Sequence, residues 1–333
     1  MNDALPPWPL FGLADDARPA LRAARRAGET AALATIVALG GGGPRPVGTQ
    51  MVISAGGVSG FLSGGCLEAD VAGHARAVLA TGAPVRLVYG EGSPWPDIRL
   101  LCGARIEVLL ERVAADDEAV ASLLALMEAR APCVWLSDGL RRVCALAANA
   151  PLPWPGALRK LFEPVPRLVV LGSDPTALAI AALGAQSGCE TTLVRPKGPS
   201  TPPPLAGVAY RRDEPAEALG AIRMDSWTAI AVATHDADLD HAALMAALPS
   251  PAFYVGALGA RRRLADRQRA LRAAGVSEAD LARLHAPIGL DTGGKAPWDV
   301  AIAVLAQITA LRTARSGSGE AVEAQDLHRL ARR

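Results

Sequence analysis

Apolar residues along this chain cluster in short runs, and the rhythm of those runs changes near residue 165. Before that point, AALATIVAL (31–39), MVIS (51–54) and VSGFLS (58–63) have the apolar density of buried strands, and Gly56-Gly57 supplies a hairpin turn signal. Residues 14–28 predict a helix closed by Gly28, despite Pro19. A second helix is expected from Glu68 to Ala80, followed by strands near 85–89 and 105–111. Residues 117–148 add a helix over Glu118–Ala129 and strands near Cys133–Leu136 and Arg142–Leu146. The segment 151–166, PLPWPGALRKLFEPVP, carries five prolines and predicts a semi-rigid linker. A first α/β domain is therefore expected over 14–150.

Beyond the linker, strands and helices alternate. RLVVLG (167–172) is a short β run, TALAIAALGAQSG a helix ending at Gly188, and TTLVR the next strand; TAIAVAT (228–234) and AFYVG (252–256) are further buried strands. Helices are expected near Asp238–Ala247, Leu264–Ala274, Ser277–Leu284 and Pro297–Arg312. Ser277 and Asp280 form a capping-box-like start, and Gly275 closes the helix before it. Alternation of this kind predicts a Rossmann-like, doubly wound parallel sheet over 167–312, with every strand ending on one rim where ligands bind. Residues 313–333 are polar and predict a loose tail.

Composition narrows the possible functions. Half of the residues are apolar, and 34 Lys+Arg against 33 Asp+Glu leave a net charge of +1. That balance argues against nucleic acid or a polybasic membrane anchor as partner, and 4% aromatic content argues against base-stacking surfaces. The segment Leu168–Cys189 is interrupted by Asp174, Pro175 and Gln186, so no membrane span is expected. The first ten residues, MNDALPPWPL, lack the basic-then-apolar order of a secretory signal. Five cysteines spread over the chain fit reduced thiols better than a disulfide framework, and a cytoplasmic location is expected.

Two glycine loops of the first domain carry candidate chemistry. In the loop from Gly40 to Gly48, Gly43 and Gly48 free backbone amides to converge on an anion, and Arg45 can add a bidentate contact. Ser63-Gly64-Gly65-Cys66-Leu67-Glu68 sits where a strand ends and a helix begins. A thiol at a helix N-terminus has a lowered pKa, so Cys66 can meet a soft metal or a sulfur centre. The plainer reading is that these glycines only turn the chain and Cys66 is a small buried hydrophobe. Cys102, in Leu100-Leu101-Cys102-Gly103, is a second candidate thiol; Cys133, Cys144 and Cys189 read as core. No CxxC spacing or Cys/His cluster predicts a zinc site.

In the second domain, Gly172-Ser-Asp-Pro-Thr-Ala177 occupies the place of a dinucleotide-binding turn and matches it poorly. Asp174 replaces the second glycine with a carboxylate that repels phosphate. Arg195 stands where an acid normally binds ribose; it suits a 2′-phosphate or marks a lapsed site. Further along the rim, His235 and Asp236 can act as acid, base or metal partners, and Gly256, Gly259 and Arg261 can seat an anion. The alternative is that His235 caps the next helix or meets a backbone carbonyl, and that Arg261–Arg263 is a solvated face. Asp291, followed by Gly293-Gly294-Lys295, offers another candidate loop, whereas His74 and His285 read as helix residues without a role.

Taken together, GGGPRPVGTQMVIS, GFLSGGCLEADVAGHA and IRLLCGARIEVLLE resemble the N-terminal domain of the XdhC/CoxI family. ATHDADLDHAAL, AFYVGALGARRR and PIGLDTGGKAPWDVAIAVLAQI resemble its C-terminal Rossmann domain, so the likeness covers about residues 20–112 and 165–312. The resemblance implies an accessory factor that binds the molybdenum cofactor, guards it while a cysteine desulfurase helps install its sulfido ligand, and delivers it to an apo molybdenum hydroxylase of the xanthine/aldehyde dehydrogenase type. It implies a chaperone rather than an enzyme. The implied cofactor site takes Gly43, Arg45, Gly48, Ser63, Gly64, Gly65, Cys66, Glu68 and Cys102, with His235, Asp236, Gly256, Gly259, Arg261 and Asp291 as a second wall. Cys66 is then the candidate contact to molybdenum or its sulfur. Whether the cofactor is molybdopterin or its cytosine dinucleotide form, and whether the chain forms a homodimer, stays open. An NAD(P)-dependent oxidoreductase using His235 is the second reading. GSDPTA and Arg195 depart from the family pattern and count against it.

Overall fold

The computed structural model describes residues 5–13, 15–41, 43–63, 66–91, 93 and 105–316, with the side chains of Cys66 and Ser316 excluded. The chain divides into two units, Met1–Pro164 and Val165–Arg333.

In the N-terminal unit, β1 (Ala31–Gly40), β2 (Gln50–Ser54), β3 (Gly57–Ser59), β4 (Val85–Gly90) and β5 (Arg105–Val113) form an antiparallel sheet in the order β3-β2-β1-β5-β4. Side-chain alternation gives β1 two buried faces. Ala32, Ala34 and Ile36 join a core with Leu67, Val71, Ala75 and Val78 of the helix α2 (Cys66–Thr81). Ala31 and Leu33 join another core with α1 (Arg18–Arg26), α3 (Glu118–Glu128), Trp135 and Phe162. A strand covered on both sides is apolar on both faces, which is why AALATIVAL is interrupted only by Thr35, whose buried hydroxyl accepts from Gln50 Nε2 at 3.3 Å.

A smaller antiparallel sheet, built from β6 (Cys133–Ser137), β7 (Arg142–Leu146) and β8 (Leu158–Phe162) in the order β7-β6-β8, completes this unit. The proline-rich segment 151–166 is therefore not a linker along its whole length. Leu158–Phe162 pairs with β6 and buries Phe162, so five residues between its prolines are ordinary strand, and the N-terminal unit runs past 150. Leu10–Leu13 forms a helical turn, and the Gly60 amide donates to the Phe11 carbonyl at 2.8 Å, so the unit also begins before residue 14. The strand expected over 58–63 stops at Ser59, because the chain turns at Gly60 (φ +101°). A Cβ there would lie 2.3 Å from the Gln50 carbonyl oxygen, which only glycine avoids.

The C-terminal unit contains the expected strands and helices and three further elements: β9 (Arg167–Gly172), α4 (Pro175–Gln186), β10 (Glu190–Val194), β11 (Val208–Arg211), α5 (Pro215–Ala221), β12 (Thr228–Ala233), α6 (Ala237–Ala247), β13 (Tyr254–Ala257), α7 (Leu264–Ala273), α8 (Glu278–Leu281), β14 (Leu284–His285) and α9 (Pro297–Ser316). The sequence pattern does not predict β11, α5 and β14. All six strands are parallel, in the order β11-β10-β9-β12-β13-β14. The order reverses between β9 and β12, the switch point at which doubly wound sheets open a crevice beyond their strand ends. One face of the sheet packs on α5, α6 and α7, the other on α4 and α9.

Two expectations change here. His285 lies in β14 rather than a helix, pairs with Gly256 and stacks on the Tyr254 ring at 4.7 Å. The last helix continues to Ser316, so the segment from 313 begins as helix; 317–333 fall outside the described residues. Among the described residues no helix is long and apolar enough to cross a membrane.

Candidate functional site

In the N-terminal unit, Gly40 ends β1 and the chain returns through Gly48 to β2. The Gly48 amide (φ +89°) donates to the Ile36 carbonyl at 2.8 Å, and its carbonyl accepts from Lys160 Nζ at 2.7 Å. Gly43 packs against the Leu39 side chain. Arg45 is ion-paired with Asp15, and its Nε is buried without a hydrogen-bond partner. Lys160 enters from β8, inside the segment read as linker; burial pushes its ammonium down to about 8, although Asp16 and Asp15 oppose the shift. Cation and glycine loop thus meet through a residue with no local sequence signal. Its register on β8 is visible only once that strand pairs with β6.

The second loop is organised from within the helix that follows it. Glu68, fully buried in the first turn of α2, accepts from the Leu62 amide at 2.8 Å and the Ser63 amide at 2.5 Å. Its carboxylate therefore acts on the chain ahead of the helix, as a carboxylate accepting several amide hydrogens can. Two residues on, Asp70 accepts from the buried Tyr89 hydroxyl at 2.7 Å and lies 3.6 Å from His74 Nε2. Burial first, and Asp70 second, push the Tyr89 phenol well above its ordinary range. Cys66 is the first residue of α2, which begins two residues before the start expected at Glu68. Its side chain, Gly64, Gly65 and Cys102 lie outside the described residues. Cys133 and Cys144 are buried and Cys189 partly buried, in line with core roles.

In the C-terminal unit the switch-point crevice is closed at its inner end. Asp174 is the N-cap of α4 and accepts from the Ala177 amide at 2.9 Å, while its other oxygen lies 2.8 Å from His235 Nε2. The position a pyrophosphate takes in dinucleotide-binding folds thus already holds an anion with its own partners. His235 does not cap the next helix; Asp236 does, accepting from the amides of Asp238 and Leu239. Thr234 Oγ1 donates to Asp240 at 2.7 Å, and Asp240 in turn binds Arg267 at 2.7 Å. Burial raises the Asp240 carboxyl, with Thr234 and Arg267 opposing.

The rim residues do not form one wall. His235 and Asp236 line a cleft of about 310 Å³ with Gly172, Arg195 and Lys197. Arg261 and Asp291, ion-paired at 2.8 Å, line a different cleft of about 760 Å³ with His285 and Lys295. Gly256 is a packing position: a Cβ there would lie 2.6 Å from Ile288 and from the Tyr254 hydroxyl. Gly259 faces the Arg267 guanidinium. Sequence reasoning weighed Arg195 and Asp174 but missed Lys197 and the Asp174–His235 pair, which joins residues 61 positions apart. Among the described residues no group of three or more His, Cys, Asp or Glu is arranged to hold a metal ion.

Known proteins match both halves of the chain. A family model described as "XdhC and CoxI family" matches residues 24–90, and one described as "XdhC Rossmann domain" matches 168–308. The chain is 30% identical over 305 residues to the molybdenum cofactor insertion chaperone PaoD of Escherichia coli, covering 90% of each protein. It is 24% identical over 322 residues to a probable xanthine dehydrogenase subunit from Bacillus subtilis, covering 85% of this chain and 94% of that one. A crystal structure described as a xanthine dehydrogenase from Bacillus halodurans superposes with a TM-score of 0.75 over 92% of this chain and 98% of that one; at 21% identity it speaks to the fold.

Proposed function

Because the chain belongs to the XdhC and CoxI family, we propose that it is a maturation factor that carries the molybdenum cofactor to a molybdenum hydroxylase of the xanthine dehydrogenase type. The observation that carries this reading is the 30% identity with a molybdenum cofactor insertion chaperone across nine-tenths of both chains. In this reading the cofactor is cargo rather than a resident group, and the chain turns nothing over. The glycine loops around Gly43–Gly48 and Ser63–Cys66 hold its phosphate and pterin, and Cys66, the first residue of α2, faces its molybdenum–sulfur end. Glu68 supports this role by holding the amides of Leu62 and Ser63 ahead of α2. Arg45 is already ion-paired with Asp15, so a phosphate contact there shares its guanidinium with that carboxylate. Delivery follows sulfuration by a cysteine desulfurase, with molybdopterin or its cytosine dinucleotide as the form carried.

The dinucleotide-dependent oxidoreductase reading is disfavoured by Asp174, whose carboxylate caps α4 where a pyrophosphate needs free amides. The test is anaerobic purification followed by quantification of bound molybdenum and pterin, in the parent chain and in Cys66→Ala. Carriage predicts bound cofactor in the parent and at least a tenfold loss in the variant, with lower activity of a co-produced hydroxylase. A chain that never acquires cofactor from a producing cell overturns the carrier reading. An alanine variant that retains it fully removes the thiol from the site.

A further inference from the structure

The cleft at the outer end of the switch point has a chemistry that the carrier reading leaves unused. Its inner end is acidic and satisfied, since Asp174 is held by Ala177 and His235, and Asp236 by two amides of α6. Its outer end is basic. Arg195, directly after β10, and Lys197, two residues on, both line the cleft. Among the described residues neither side chain has a hydrogen-bond or ion-pair partner, whereas the nearby Arg211 is paired with Asp213 at 2.7 Å. Lys197 holds a left-handed backbone (φ +54°), unusual for a residue with a Cβ. Leu171, Pro196, Pro215 and Leu239 add apolar walls, and the volume of about 310 Å³ lies at the lower end of ordinary ligand pockets.

We propose that this cleft binds a phosphomonoester of about mononucleotide size, with its phosphate on Arg195 and Lys197. Three physical points select that ligand. The phosphate of a monoester carries close to two negative charges near neutral pH, matching two cations that have no internal counter-charge, while a carboxylate would leave one unbalanced. A guanidinium presents a planar fork that fits phosphate oxygens in pairs. A full dinucleotide also needs its pyrophosphate at the start of α4, where Asp174 stands. The cleft is thus the outer half of a dinucleotide site whose inner half is closed. The proposal does not rest on the carrier reading and survives or fails separately from it.

Isothermal titration of the full chain with 2′-AMP, 5′-AMP, adenosine, inorganic phosphate, NADP+ and NAD+ tests it. At least one AMP isomer is expected to bind, more tightly than NADP+, with adenosine and NAD+ showing no binding at the same concentrations. Tighter binding of AMP than of inorganic phosphate identifies a phosphorylated organic ligand; equal binding identifies free phosphate as the source and removes the organic part of the proposal. Arg195→Gln and Lys197→Asn, the second chosen because asparagine tolerates the left-handed backbone, are each expected to weaken AMP at least tenfold with an unchanged thermal midpoint. Absence of any AMP binding, equal binding of NAD+, or affinity unchanged in the double variant overturns the proposal.

Discussion

Both units use a carboxylate where the chain passes from a strand region into a helix, in opposite ways. In the N-terminal unit the acid lies inside the helix: Glu68 reaches back to the amides of Leu62 and Ser63, which precede α2. In the C-terminal unit the acid lies ahead of the helix: Asp174 binds the Ala177 amide, in the first turn of α4 itself. A carboxylate inside the helix holds the chain ahead of it. A carboxylate in front of the helix occupies the amides that an anionic ligand would otherwise use. The position of one acid, six residues past Leu62 or two residues past Gly172, therefore separates a carboxylate that holds the chain ahead of a helix from one that occupies the first turn of a helix.

The largest effect is expected from Glu68→Ala. The substitution strands two amides, one buried and one partly buried, and each loses its acceptor, so the cost is about 2–4 kcal/mol by urea denaturation of the full chain. Glu68→Gln keeps an acceptor oxygen and is expected to cost less than half as much. Asp174→Ala removes a half-buried N-cap and is expected to cost only about 1 kcal/mol. Should Asp174→Ala prove as costly as Glu68→Ala, the contrast between the two carboxylates fails.

Asp174→Ser sharpens the same point without disturbing the fold. Serine keeps a capping oxygen and deletes the charge, so stability should stay within about 0.5 kcal/mol of the parent. With the anion gone, NADP+ is expected to bind at least tenfold more tightly than it does to the parent chain, while AMP binding at Arg195 and Lys197 stays the same. An unchanged NADP+ affinity would mean that something other than the Asp174 carboxylate closes the crevice.

Much of this was legible in the sequence, for a physical reason. The alternating apolar runs after residue 165 point to the parallel sheet, because β9, β10, β12 and β13 are covered on both faces. Asp174 and Arg195 stood out because they break a pattern whose chemistry is known at each position. What stayed hidden depends on long-range pairing. His235 meets Asp174 only because β9 and β12 are neighbours at the switch point. The segment 151–166 looked like a linker because prolines dominate its ends, yet five residues between them pair with β6 and place Lys160 on the Gly48 carbonyl. His235 and Arg261 both sit at strand ends, but separate clefts form on the two sides of β13, a division that spacing along the chain does not encode.

That hidden lysine carries the smallest predicted effect. Burial lowers the Lys160 ammonium from 10.5 to about 8, so between those two pH values the unfolded chain binds more protons than the folded one. Stability therefore rises with pH across the window from 8 to 10.5, the reverse of a lysine stabilised by an ion pair. Below pH 8 the charge is present in both states and its burial is a standing cost. Solvent reaches the half-buried side chain, so the rise attributable to Lys160 should be no more than about 1 kcal/mol. Thermal denaturation of the parent and of Lys160→Met at pH 7.5, 9 and 10.5 measures it as the difference between the two slopes. A parent slope no steeper than that of Lys160→Met would mean that the ammonium is as well solvated in the fold as outside it, and that the Gly48 loop is held by the hydrogen bond alone.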